Sequence, residues 1–125
     1  MGFKGLCAEW IGGRIAGLLE LPIPEIEIVE IPPELLALLN EEDQRDLGKG
    51  PAFASKELVP SEDFLYSQFE SVCPILKGRI LLFDWWTCNC DRILGSLGGN
   101  PNMLWSGTPR QLFIIDHNQT FSPDS

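Results

Sequence analysis

The chain has no long apolar run. One apolar run, Ile80-Leu81-Leu82-Phe83, is closed off by Arg79 and Asp84, whereas a membrane-spanning helix needs about 20 such residues. Positive charge is also scarce. Lys and Arg number 9 against 18 Asp and Glu, a formal charge of −9. Holding a nucleic acid means neutralising its phosphates with cations, so no nucleic-acid partner is expected, and no membrane partner either. Met1–Gly5 lacks a basic stretch leading into an apolar one. No export signal is therefore expected, and the cytoplasm is the expected compartment. Soft metal ligands are few: His117 is the single histidine, and the four cysteines are Cys7, Cys73, Cys88 and Cys90. Cys88 and Cys90 are one residue apart rather than the two of a zinc knuckle, and no second pair matches them. The thiols read as reduced and incidental, with a small metal site on the cysteines and His117 as a third-ranked reading.

What is present is enough for one domain over residues 1–125. The chain is 44% hydrophobic, too apolar for a disordered polymer. Leu6 to Leu19 predicts a helix with an apolar stripe of Leu6, Trp10, Ile11, Ile15, Leu18 and Leu19. Gly12, Gly13 and Gly17 weaken it and suggest close packing against a neighbour, and Pro22 and Pro24 end it. Glu25 to Ile31 alternates acid and aliphatic residues, the pattern of a half-buried strand. Pro33 opens a short helix over Glu34–Leu39, with a polar loop or helical turn expected from Asn40 to Gly50. Pro51 to Val59 predicts a second strand, and Ser61-Glu62-Asp63 a polar connection. Cys73 to Thr87 carries the clearest helical period, with Leu76, Ile80, Phe83 and Trp86 or Thr87 facing the core. A turn-rich loop, Cys88 to Asn102, leads to a hairpin of Met103–Trp105 and Leu112–Ile115.

The polar residues around that hairpin are placed for chemistry. Asn102 precedes its first strand and Asp116 follows its second, so both fall at one end of the hairpin. Asp91 and Arg92 enter the same region from the end of the long helix. Magnesium takes hard oxygen donors, often only one or two from the protein. Phosphoryl transfer needs an acid to orient the acceptor hydroxyl and an Asn plus an Asp to hold metal on the phosphates. Each residue also has a plainer role open to it. Asn89 and Asp91 could cap a helix end, Asn100 and Asn102 could be turn residues, and Asp116 could simply end a strand. His117 could likewise be a packed or hydrogen-bonded histidine, and Glu9 a surface helix charge.

Asn89-Cys90-Asp91-Arg92, Gly99-Asn100-Pro101-Asn102-Met103-Leu104 and Phe113-Ile114-Ile115-Asp116-His117-Asn118 together resemble the catalytic loop and metal-binding segment of HipA-like kinases. Gly5–Trp10 with Leu21–Pro24 resembles the family's acid-bearing helix, and Pro51–Lys56 its strand leading to the adenine-contacting hinge. The resemblance implies an α+β fold: a kinase-like C-terminal lobe plus the Glu-bearing helix, with a small antiparallel sheet and packed helices. It implies ATP and Mg²⁺ as cofactors. Asp91 would be the catalytic base or acceptor-orienting acid, Arg92 would position the loop or a phosphate, and Asn102 and Asp116 would hold the metal. Glu9 would pair with a nucleotide-binding lysine, and Lys56, Glu57 and Leu58 would lie at the adenine edge. Family members carry nucleotide-binding strands before that helix, so a partial domain is implied, with a second protein chain as one source of the missing lobe. The function implied is phosphotransfer to an acceptor that the residues do not name. The alternative is a non-catalytic kinase-like protein that pairs with or inhibits another protein.

Overall fold

The computed structural model describes residues 2–48, 50–92, 99–117 and 120–121. Its first element is helix α1, Phe3–Leu18. The apolar stripe expected for this helix is buried only in part: Leu6 is buried and Ile15 packs against the core. Leu18 is 82% exposed and Ile11 47%, whereas Leu6, Ala8, Glu9, Gly12, Gly13 and Ala16 are buried. Close approach is the cause: small residues let the α1 backbone sit against its neighbours, where larger side chains would not fit. A Cβ on Gly12 would lie 3.0 Å from Cβ of His117 and 3.2 Å from Oγ1 of Thr120. Thr120 cannot yield easily, because its hydroxyl bonds the carbonyls of His117 and Ala8 at 2.8 and 3.2 Å. A Cβ on Gly17 would meet only the tip of Ile23, at an ordinary 3.8 Å.

These two glycines should therefore respond to alanine with opposite signs. Gly17→Ala is expected to stabilise the chain by up to about 1 kcal/mol through helix propensity. Gly12→Ala gains the same propensity but meets overpacking of about 1–3 kcal/mol, so a net loss is expected. Urea unfolding of both variants checks this, and a Gly12→Ala chain as stable as Gly17→Ala would refute the close approach.

Helix α1 closes on Glu20, whose φ of 58° is left-handed. The Glu20 N–H bonds the Gly17 carbonyl and the Leu21 N–H bonds the Ala16 carbonyl, the paired closure usually made with glycine. The chain then runs along the outer edge of the later hairpin, where the Pro22 carbonyl accepts from the Ile114 N–H at 2.9 Å. Strands β1, Ile26–Glu30, and β2, Pro51–Ser55, pair antiparallel with Ile26 opposite Ser55 and Ile28 opposite Phe53. β2 stops short of the expected Val59. Beyond the bond from the Lys56 N–H to the Glu25 carbonyl its partner reaches Pro24, which has no N–H to offer. Between the strands lie α2, Pro33–Leu36, and α3, Glu41–Leu47. α3 occupies the expected loop or turn because Asn40 caps it, accepting from the Asp43 N–H at 2.8 Å, with three acids in its first turn.

The second sheet has three antiparallel strands in the order β3 (Ser61–Asp63), β4 (Met103–Ser106), β5 (Gln111–Ile114). β3 was expected as a connection, since its three polar, exposed residues carry no strand pattern. Its pairing comes from the edge that β4 offers. Phe64 follows, buried against Trp105 with ring centroids 5.8 Å apart. A 3₁₀ turn, Tyr66–Ser71, leads into α4, Pro74–Trp86. Ile80, Phe83 and Thr87 are buried as expected, while Trp86 is 60% exposed, the place it might have taken being filled by Thr87. Ala16, Leu21, Phe64, Ile80, Phe83 and Ile114 belong to one core joining α1, α4 and the three-stranded sheet. The fold is α+β, with helices on two small antiparallel sheets rather than one. No helix among the described residues is long and apolar enough to cross a membrane.

Candidate functional site

Helix α4 ends by the same left-handed closure as α1, and that closure aims the loop that follows. Cys88 has φ 55°, its N–H bonds the Trp85 carbonyl at 3.3 Å, and the Asn89 N–H bonds the Asp84 carbonyl at 2.8 Å. Asn89 is thereby buried. Its Nδ2 donates to Oδ1 of Asp84 at 3.2 Å, and its Oδ1 accepts from the Asp91 N–H at 3.2 Å. Asp91 is thus held in a short side-chain-braced turn directly off the helix.

The Arg92 guanidinium runs back under this turn. Nε donates to Oδ2 of Asp84 at 2.8 Å, and Nη1 donates to the carbonyls of Asn102 at 2.8 Å and Pro101 at 3.3 Å. The side chain is 1% exposed. Burial pushes the Asp84 carboxyl above its ordinary range, opposed by the Arg92 charge and by the bonds from Arg92 and Asn89. Of the two roles implied for Arg92, these contacts fit holding the loop.

Asn102 is shaped by its own neighbours. The Asn100 Oδ1 accepts from the Asn102 N–H at 2.9 Å, turning the chain at Pro101. Asn102 then has φ 50° and Asp116 has φ 62°. Asn and Asp tolerate this left-handed region better than most residues, and such conformations concentrate at functional sites. The Ile115 N–H donates to the Asn102 carbonyl at 2.9 Å, so the two positions flank the base of the β4–β5 hairpin, as its geometry predicted. The Asn102 Nδ2 donates to Oδ2 of Asp91 at 3.1 Å. Asp91 and Asn102 are therefore in direct contact, and Asp116 follows Ile115, whose N–H bonds the Asn102 carbonyl.

The sequence profile of the HipA-like kinases matches residues 1–125, the whole chain. The chain belongs to the HipA-like kinase family. A comparison with curated proteins found no match. In this HipA-like chain the acid of the first helix is tied straight to the segment that follows β5: Glu9 is buried, and its Oε2 accepts from the His117 N–H at 3.1 Å. Glu9, Asp116 and His117 line a cleft of about 30 Å³ with Phe53, Ser55 and Ile114. That is room for about two water molecules, so the cleft is narrow. Lys56, Glu57 and Leu58 follow the end of β2 and do not line the cleft, and the Lys56 Nζ lies 3.8 Å from Glu25 at the surface.

Asp84 went unrecognised in the sequence, where it reads only as the stop to an apolar run. An acid set among Phe83, Trp85 and Trp86 on a core-facing helix was the available signal. Among the described residues no three His, Cys, Asp or Glu side chains form a metal-holding group. Cys73, Cys88 and Cys90 are exposed, while His117 is buried edge-on to Phe83 at 5.6 Å, so the cysteine–histidine reading has no geometry behind it.

His117 also sets a pH dependence. Burial, assisted by the Arg92 charge, pushes it from 6.5 down to about 4. Between those values the unfolded chain is protonated at this position and the folded chain is not. Stability is therefore complete above the unfolded value and falls as pH drops toward 4, by about 3 kcal/mol in total. The raised Asp84 acts the other way, since the folded chain keeps a proton there that the unfolded chain has lost. Urea midpoints at pH 7 and pH 5 should differ, and His117→Gln should flatten the difference. An unchanged slope in that variant would remove His117 from the account.

Proposed function

We propose that this chain carries the phosphoryl-transfer site of an ATP- and Mg²⁺-dependent HipA-like phosphotransferase. The observation that supports it is the bond from the Asn102 amide to Asp91, made where Asn102 and Asp116 flank the hairpin base in left-handed backbone. Because Nδ2 of Asn102 is directed at Asp91, its Oδ1 is the atom left to meet a cation. Asn102 Oδ1 and the Asp116 carboxylate form a small hard-oxygen set that suits Mg²⁺, which keeps several waters and phosphate oxygens in its shell. Mg²⁺, when bound, neutralises charge on the phosphates.

The chain's own residues do the rest by positioning. Asp91 has Oδ2 engaged by Asn102, so its other oxygen accepts the hydrogen of the acceptor hydroxyl and aligns that oxygen with the phosphorus. Arg92 acts as a positioning residue, fixing the Asp91 turn to the Asn102 segment. Glu9 fixes the segment after Asp116 to α1. Nucleotide entry requires the β1–β2 sheet to part from the hairpin, because the narrow cleft has no room for a base. The acceptor is a hydroxyl of a protein or small molecule, and the fold does not select between them.

Calorimetric titration of the chain with ATP, with and without Mg²⁺, tests this. Mg²⁺-dependent binding is expected, weakened at least about tenfold in Asp116→Ala by the loss of a charged ligand. A folded chain that binds ATP equally well without Mg²⁺, or a variant that binds like the parent, would reject the metal site. Binding with no turnover would favour a non-catalytic kinase-like protein.

A further inference from the structure

Helix α4 is apolar on both of its sides. Ile80 and Phe83 face the core, while Ile75, Leu81, Leu82, Trp85 and Trp86 are exposed, Leu81 by 71% and Trp85 by 75%. Gly78 is exposed with them, and a Cβ there would meet nothing within 4 Å. A helix that is apolar all round is normally covered all round. The end of α1 extends the patch. Leu18 is exposed as well, and Leu18, Leu19 and Glu20 line a groove with Arg79 and Leu82. The chain as a whole exposes 8472 Å², about a quarter more than the roughly 6,700 Å² of a folded monomer of 14.0 kDa. The five exposed apolar residues of α4, with Leu18, present on the order of 900 Å² of it. The largest apolar patch of a typical monomer is about 300–600 Å², and one partner gives about 800 Å² to a standard interface.

Charge narrows the choice of what covers this face. Two chains of −9 repel each other over most of their surface. Among the exposed residues of α4, however, the one charge is Arg79, and the acid beside it in the groove is Glu20. Neither makes an ion pair among the described residues. The patch thus carries one charge of each sign. A copy related by a two-fold axis offers an acid to Arg79 and a cation to Glu20, the self-complementarity that such an interface needs. We propose that the outer face of α4, with the end of α1, is the interface of a two-fold homodimer. The two α4 helices cover each other's Ile75, Leu82 and Trp86, and Arg79 of each copy meets Glu20 of the other. The helix end covered in this way is the one from which the Asp91 turn departs, through the bond from the Cys88 N–H to the Trp85 carbonyl. The dimer does not depend on the phosphotransfer reading.

Sedimentation equilibrium of the full chain, without nucleotide and at concentrations up to about 200 μM, tests this. A dimer is expected, with a dissociation constant on the order of 10 μM or tighter. Leu82→Lys puts a charge into the patch and should weaken the dimer at least about tenfold, with helix content by circular dichroism unchanged because Leu82 is exposed in the single chain. Arg79→Glu and Glu20→Arg should each weaken association about tenfold, since each sets like charges together twice in a two-fold dimer. An equimolar mixture of those two variants should dimerise like the parent, because every charge then meets its opposite. A folded parent that sediments as a monomer throughout overturns the proposal and leaves the face to a different protein. A parent dimer that Leu82→Lys does not weaken places the interface elsewhere and overturns it too. A mixture that associates no better than either variant alone denies the two-fold pairing, with the same consequence.

Discussion

Arg92→Ala is expected to destabilise the chain by about 3–5 kcal/mol, the usual consequence of removing one member of a buried ion pair. The reason lies in what the guanidinium holds. It neutralises Asp84, which is largely buried, and it bonds the carbonyls of Pro101 and Asn102. Without it Asp84 is left with the Asn89 amide as its side-chain donor, and the loop and the hairpin base lose their tie. The deficit should depend on pH. In the variant Asp84 is raised further, so its folded form keeps a proton that the unfolded chain releases near its ordinary value of 3.8. The penalty is then smallest near pH 4 and grows as pH rises through the folded-state value. Asp84→Leu combined with Arg92→Leu should be less destabilised than Arg92→Ala, since no charge is left buried. Urea unfolding at pH 7 and pH 4.5 measures all of this. An Arg92→Ala chain within about 1 kcal/mol of the parent would show that the pair is not what holds the loop.

Asp91→Asn is expected to separate chemistry from structure. The substituted amide oxygen can still accept from Nδ2 of Asn102, and the bond that the residue 91 N–H donates to Oδ1 of Asn89 is untouched. Stability should therefore stay within about 1 kcal/mol, and Mg²⁺-dependent ATP binding should change little. On the proposed mechanism, what disappears is the carboxylate that would align the attacking hydroxyl and take its proton, a contribution of about 10²–10⁴ in rate. Release of phosphate from Mg²⁺-ATP to water, followed under saturating nucleotide, gives the measurement without knowledge of the natural acceptor. Equal rates for the parent and Asp91→Asn would take Asp91 out of the mechanism. A parent that binds Mg²⁺-ATP and releases no phosphate would point instead to the binding-only alternative.

The order of elements was legible because the residues around them signal locally. Pro22 and Pro24 stop a helix, alternating acids and aliphatics make β1, and the three-to-four spacing of Leu76, Ile80 and Phe83 makes α4. Asn102 and Asp116 were legible for a related reason: a hairpin joins its two ends whatever else the fold does. Helix α1 was legible, but Ile11, Leu18 and Leu19 were placed on its buried face because periodicity assumes that large apolar residues face the core. Its packing is set by distance instead, with Gly12 and Gly13 facing His117, Thr120 and Ile26. β3 was missed because a strand paired at an edge needs no pattern of its own.

Local pattern and hairpin connectivity were thus sufficient for the order of the main elements and for the neighbourhood of Asn102 and Asp116, while the family and its α+β fold came from the resemblance of the three motifs around them. They could not give the pairings across long stretches of chain. The bond from Glu9 to His117 spans 108 residues, and Asp84 finds Arg92 only because the left-handed close of α4 turns the loop back beneath it. Burial alone decides that Arg92 holds the loop, that His117 titrates low, and that Gly78 faces open space. Burial is a property of the packed chain, set by which segments meet, and no window of neighbouring residues contains it.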